Sequence, residues 1–349
     1  MNCRIAALLV LMLALVSATA GCAALFGPHA EYPSIASMPG AAEPVTAEHT
    51  FRFEDGTETV GVTIDAAVLA GARASTKEVL LRGDVPEEEW VAGAYRAQVS
   101  DPAQDRFFAD LLAGFREVRD RRGLDDDRHL ELMAAAVQQL PYLTAPETAA
   151  NYPVETWADR SGDCDDKALL LAGLLAREGY RVALFVFLPE SHMALGVGCP
   201  AGYDYGGSGY AYLEVTNASY VGVVPEGIRD AAPLLVVPIG NGTTGYAAAP
   251  DIAVIEAARL TARSRVDALG PEIDRRQAAL ETDRRRLEAL RPARDRDAFV
   301  TAYARYTAHE DAFDRLVEEH NRAVDLLNAT AASRYDRTGG AAYVSAHPP

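Results

Sequence analysis

The stretch Arg160-Ser-Gly-Asp-Cys-Asp-Asp-Lys167, continued by Ala168-Leu-Leu-Leu-Ala-Gly-Leu-Leu175, decides how the chain is read. A Gly162-Asp163 turn before a run rich in Ala and Leu marks a helix start, and Gly179 marks its end, so a helix is expected over Asp165–Arg177. Cys164 stands at the mouth of that helix. There the unpaired backbone N–H groups and the positive end of the helix dipole favour a thiolate. Asp163, Asp165 and Asp166 oppose that shift, so a nearby imidazolium has to supply most of it.

Working outward, Val182 to Leu188 is a continuous apolar strand, His192 to Val197 a second, and Tyr210 to Thr216 a third with alternating pattern. The Gly-rich stretch Gly202 to Gly209 connects the last two. His192 opens its strand and Glu214 lies on the next. If these strands pack beside the helix, thiol, imidazole and carboxylate meet in the chain order Cys, His, acid. Such a set suits acyl transfer, with the imidazole activating the thiol and the carboxylate fixing the imidazole's tautomer. Asp204, in the Gly-rich loop, is the reserve acid. Gln138 or Gln139, near the end of an upstream helix, can donate to an oxyanion, and the Cys164 N–H is the more general donor.

Metal chemistry finds little support in the residue pattern. The Asp163–Asp166 loop lacks the alternating ligands and closing Glu of an EF-hand. Cys164, Cys199 and the histidines form neither C-x-x-C nor H-E-x-x-H, so no metal and no other cofactor is expected.

The segment from about Tyr152 to Tyr220 resembles the catalytic core of the transglutaminase-like superfamily. The likeness rests on Trp157 before the turn, the quoted stretch around Cys164, the strand entering His192, and Tyr212-Leu-Glu-Val-Thr216. Val137-Gln-Gln-Leu-Pro-Tyr142 is similar to the segment before the nucleophile in prokaryotic members, which extends the core to about residue 100. The resemblance implies a papain-like α+β fold, a helix packed on an antiparallel sheet, with Cys164, His192 and Glu214 as triad. It also implies thiol-dependent chemistry on amides: peptide hydrolysis, deamidation or transamidation. Two positions depart from the family: Met193-Ala194-Leu195 stands where an aromatic commonly follows the histidine, and Glu214 where Asp is usual.

The rest of the chain sets the frame. Its 349 residues carry 33 Lys+Arg against 50 Asp+Glu, a formal charge of −17, which argues against a general nucleic-acid binder. Apolar residues at 49% and charged residues at 24% are ordinary for a globular protein and exclude wholesale disorder or a multi-span membrane protein. Met1 to Arg4, the apolar run Ile5 to Val16 and the small residues Ser17 to Gly21 read as a secretory signal. Thr19-Ala-Gly-Cys22 resembles the lipobox of prokaryotic lipoproteins, which implies lipidation at Cys22. Residues 1–22 are thus a signal and 23–45 a tether. The protein is expected outside the cytoplasm, held at the cell membrane by a lipid anchor or an uncleaved N-terminal segment, or secreted. Cys3 leaves with the signal, whereas Cys199 is unassigned and can in principle cross-link to Cys164.

Residues 46–100 read as a β-hairpin, turned at Asp55-Gly56, with a connecting region. The core spans 101–245 and opens with helices between Asp101 and Leu140, the second starting at Asp127 and stopped by Pro141. Over 251–331, Val266, Ile273, Leu280 and Leu287 recur every seven residues, and Phe299, Tyr303, Tyr306, Phe313, Val317, His320, Val324 and Leu327 follow a 3-4 alternation. An antiparallel helical hairpin of coiled-coil type follows, turning at Arg291-Pro292 and kinked at Gly270-Pro271. Residues 337–349 read as a disordered tail. Two functional readings emerge. One is a membrane-tethered thiol enzyme with a protein or peptide substrate. The other is a non-catalytic lipoprotein that binds a partner through its groove or its helical hairpin.

Overall fold

A computed structural model describes residues 27–40, 43–143, 149–187, 189–233, 235–291 and 295–349. The signal, Cys3, Cys22 and the start of the tether lie outside the described residues, as do Leu188 and Pro292. The fold is α+β with antiparallel sheets and long C-terminal helices.

Strand β1 (His29–Glu31) is followed by the hairpin of β2 (Val45–Phe53) and β3 (Gly56–Ile64). Strict alternation buries Phe51, Phe53, Val60, Val62 and Ile64 on one face. The hairpin's two loop residues are Glu54 and Asp55 rather than Asp55-Gly56, because Phe53 pairs with Gly56. Glu54 takes the left-handed conformation, φ 51°, and is held there by Arg122, Arg128 and a backbone bond to Tyr335.

The expected connecting region contains two helices, α1 (Ala66–Ala74), capped by Asp65, and α2 (Glu87–Ser100), with β4 (Leu80–Arg82) between them pairing with β1. Next come α3 (Asp105–Arg122), closed by Gly123, α4 (Asp126–Gln138), capped by Asp125, and the short α5 (Pro153–Asp159).

The centre of the molecule is α6 (Cys164–Arg177), where Ala168, Leu169, Leu170, Leu171, Ala172, Leu174 and Leu175 are fully buried. Gly173 lets α3 approach, since a Cβ there would lie 2.4 Å from the Phe108 ring. The helix packs on a four-stranded antiparallel sheet in the order β7 (Tyr210–Leu213), β6 (His192–Gly198), β5 (Val182–Phe187), β8 (Leu235–Ile239). β5 is apolar throughout because both faces are covered. Leu184 and Val186 join the main core, whereas Phe185 and Phe187 pack with Tyr205, Tyr212 and Ile228 on the other face.

The hairpin is formed by α7 (Ala249–Leu290) and α8 (Arg296–Ala332). α7 runs as one helix through Pro271. Its buried apolar residues, Ile252, Ile255, Ala258 and Ala262, cluster near its base, so the hairpin is anchored to the core there. Farther out the seam is polar: Asp283 is buried against Arg305 at 3.2 Å and His309 at 2.6 Å. The expected disordered tail is instead a helix, α9 (Arg337–Ala346). Arg337 fixes it, bonding Glu131 of α4 at 2.6 Å and Asp251 of α7 at 2.9 Å. Glu131 lies 206 residues away from Arg337 in sequence.

Candidate active site

Cys164 is the first residue of α6 and is 9% exposed. A capping box sets the helix start: the Asp163 carboxylate accepts the Asp166 N–H, and the Asp166 carboxylate accepts the Asp163 N–H. The neighbouring acids oppose a thiolate less than their formal charges suggest. Burial, then hydrogen bonding with Asp165, raises the Asp163 carboxyl to about 7, and burial also pushes Asp166 up. Gly162 permits this geometry, because a Cβ there would lie 2.6 Å from the Asp166 Cβ.

The turn is braced by the Pro141-Tyr142 segment. Gly162 donates to Pro141 O at 3.2 Å and accepts from the Leu143 N–H at 3.2 Å. Tyr142, 51% exposed, is thereby held beside the turn that leads to Cys164. Burial, then the negative charge and hydrogen bonding of Cys164, raises its phenol above the ordinary range.

His192 begins β6 opposite Phe187, whose ring stacks on the imidazole with centroids 6.3 Å apart. Its Nε2 is 3.1 Å from the Tyr212 hydroxyl and 3.3 Å from Glu214 Oε2. Tyr212 donates its own proton to Glu214 Oε2 at 2.9 Å, so its oxygen is left to accept. This pattern assigns a proton to Nε2 and leaves Nδ1 for the thiol side. Burial disfavours the imidazolium, but hydrogen bonding and charge from Cys164 and Glu214 outweigh it and carry the His192 pKa up to about 9. The thiol's own hydrogen bond runs to Asp165 Oδ1 at 3.7 Å. Hydrogen bonding with Cys164 is also among the causes that raise the His192 imidazole.

Glu214 lies one residue past the end of β7 rather than within the strand. Its carboxylate is the reason. Oε1 turns back to accept from Val215 N at 3.0 Å, Thr216 N at 2.8 Å and Thr216 Oγ1 at 2.5 Å, replacing the ladder with side-chain bonds. Burial raises a carboxyl, yet these donors and His192 overcome it and lower Glu214 to about 2. The buried acid is therefore ionised.

Beneath the site Lys167, fully buried one turn after Cys164, donates to Gln138 O at 3.2 Å and Leu140 O at 2.9 Å. Burial depresses it to about 8, against the pull of Glu214. Both glutamines considered as oxyanion donors are bound elsewhere. Gln138 Nε2 donates to Glu214 O at 2.8 Å and Ser219 O at 3.0 Å, and Gln139 Nε2 to Arg52 O at 2.8 Å and Ala135 O at 2.9 Å. Gln138 thus pins the acid from behind, and Gln139 ties β2 to α4. The donors on the thiol side are the Cys164 N–H, which has no carbonyl partner within its own helix, and the Tyr142 phenol.

Asp204 is turned to its own loop, accepting the Gly209 N–H at 3.1 Å, and His192 is paired with Glu214. Cys199 is a free, half-buried thiol, unbonded to Cys164. Among the described residues no three or more His, Cys, Asp or Glu side chains are grouped to hold a metal ion. Sequence reasoning missed Tyr212 and Tyr142. The first was readable, since Tyr212 and Glu214 stand two apart in an extended segment and share a face.

No family model, curated protein or solved structure matches the chain. No helix of the described residues is long and apolar enough to cross a membrane.

Proposed function

We propose that the chain is a thiol enzyme of transglutaminase-like, papain-like type, acting on amide bonds of proteins or peptides through a Cys164 thioester. The observation that carries this reading is the buried relay from Glu214 and Tyr212 to His192, on a strand packed against the helix that Cys164 opens. With the imidazole raised to about 9, His192 is an imidazolium at neutral pH and can supply the proton a departing amine needs.

Cys164 Sγ attacks the amide carbonyl carbon, and the C–O π pair moves to oxygen. The Cys164 N–H and the Tyr142 phenol are the donors available to that oxyanion. Collapse expels the amine, which takes the His192 proton, and leaves an acyl thioester. Water or an amine then attacks, His192 accepts its proton, and the C–S bond breaks to return the thiol side to its starting state. Glu214 and Tyr212 hold Nε2 throughout, keeping the working nitrogen toward the sulfur. A lipid on Cys22 would tether this chemistry to the outer side of a membrane.

The test is amide turnover of a peptide and protein mixture by wild type and Cys164→Ala, followed by mass spectrometry of new termini, deamidated residues and cross-links. Products formed by wild type and absent with Cys164→Ala support the reading. Identical product sets from both proteins would sink it.

A further inference from the structure

A groove of about 700 Å³ lies between α2 and the sheet strands β5 and β8, with Asp165, the residue after Cys164, on its lining. Asp165 belongs to both places: it accepts from the Cys164 thiol and it lines the groove. Tyr95, on the groove wall, has its phenol pushed up to about 12 by burial and then by the charges of Asp165 and Cys164. Val186, also on the wall, pairs across the sheet with Met193, the neighbour of His192. The groove therefore adjoins the site through Asp165.

Its surface has two parts. Trp90, Tyr95, Val186 and Leu235 make an apolar wall, and Trp90 is only half-buried, unlike the fully buried Trp157. A large aromatic left half-uncovered on a groove wall offers contact area to an apolar side chain. The rim carries the carboxylates of Glu87, Glu88 and Asp165. Its lysine, Lys77, is held by Glu155 at 3.2 Å and does not balance them.

Resting on the reading of Cys164 as nucleophile, we propose that this groove is the specificity subsite for a substrate segment pairing an apolar side chain with an adjacent Lys or Arg. The apolar side chain lies on Trp90 and Tyr95. The cation meets the carboxylate rim, which rejects acidic segments by repulsion.

Binding can be read without turnover in the full-length Cys164→Ala protein, using Trp90 emission, because Trp157 lies in the core and away from the groove. The probes are blocked hexapeptides with Leu-Arg, Leu-Glu or Gly-Arg at their centre. The Leu-Arg peptide should shift the emission saturably and bind at least about tenfold more tightly than either control, with affinity falling as salt rises. Trp90→Phe should abolish the signal, and Glu88→Lys, an exposed change, should erase the preference for Leu-Arg over Leu-Glu. Equal binding of the three peptides, or no response at millimolar concentration, overturns the subsite. Alkylation of Cys164 in the wild-type protein tests the nucleophile separately. Fast alkylation without peptide preference removes the subsite alone, and peptide preference with an inert thiol leaves the groove a binding site and removes the chemistry.

Discussion

The Tyr212 hydroxyl donates to Glu214 Oε2 at 2.9 Å, and its oxygen stands 3.1 Å from His192 Nε2. A phenol thus braces the imidazole together with the carboxylate. Tyr212→Phe keeps the ring in its aromatic cluster and removes only this link. It should lower kcat/KM by about 10- to 100-fold, in the range of lost outer-sphere orienting bonds. Steady-state kinetics on any amide substrate found for the protein checks this, and an unchanged kcat/KM would show that Tyr212 only packs.

Glu214→Gln preserves shape and removes the charge that holds the His192 proton. His192 is raised in the fold, so its ion pair with Glu214 contributes fully below the ordinary imidazole range and is lost as pH rises through about 9. Glu214 is depressed, so its contribution is present above the ordinary carboxylate range and is lost as pH falls toward about 2. Thermal midpoints of wild type and Glu214→Gln should therefore differ most between about pH 5 and 6.5 and converge above pH 9. A constant difference from pH 5 to 10 would contradict the assigned ion pair.

Lys167 satisfies two carbonyls at the end of α4 and bears on the segment that carries Tyr142. Lys167→Met fills similar space but leaves both carbonyls unpaired. The expected cost is about 2–4 kcal/mol, since a buried unsatisfied polar group costs about 1–3 kcal/mol and a buried lysine also loses its own desolvation penalty. Urea denaturation measures it, and a stability gain would mean that the carbonyls find other donors.

How much of this was legible differs from residue to residue. Cys164, His192 and Glu214 could be named because a helix start and two strand positions carry chemistry in the sequence itself. Strand β8 could not, because Pro238 argues against a strand and is tolerated only at the sheet edge, where β8 lies. Helix α9 was hidden for another reason. Gly339 and Gly340 weaken its local propensity, and its anchor, Arg337 to Glu131, joins distant parts of the chain. The two glutamines show the limit on side chains, since their amide directions are set by carbonyls from other elements.

The α9 anchor is itself testable. Burial lifts Glu131 to about 7 even though Arg337 and Tyr246 favour its charge. Arg337→Met leaves the half-buried Glu131 carboxylate without its partner and should cost about 2–3 kcal/mol, less than the ~3–5 kcal/mol for breaking a fully buried pair from one side. Adding Glu131→Gln should recover most of the loss. Loss of stability equal to that of an exposed arginine, within about 0.5 kcal/mol, would mean that α9 is only loosely held.

A thiolate–imidazolium pair of Cys164 and His192 would show in the reactivity of the thiol. Iodoacetamide alkylation of Cys164, followed from pH 4 to 10 in a Cys199→Ala background by peptide mass spectrometry, tests it most directly. Cys164 in the wild-type protein should be alkylated at pH 6 at least about tenfold faster than a model thiol, and more slowly in Glu214→Gln. A single rise centred near pH 8.5, identical in both proteins, would contradict it.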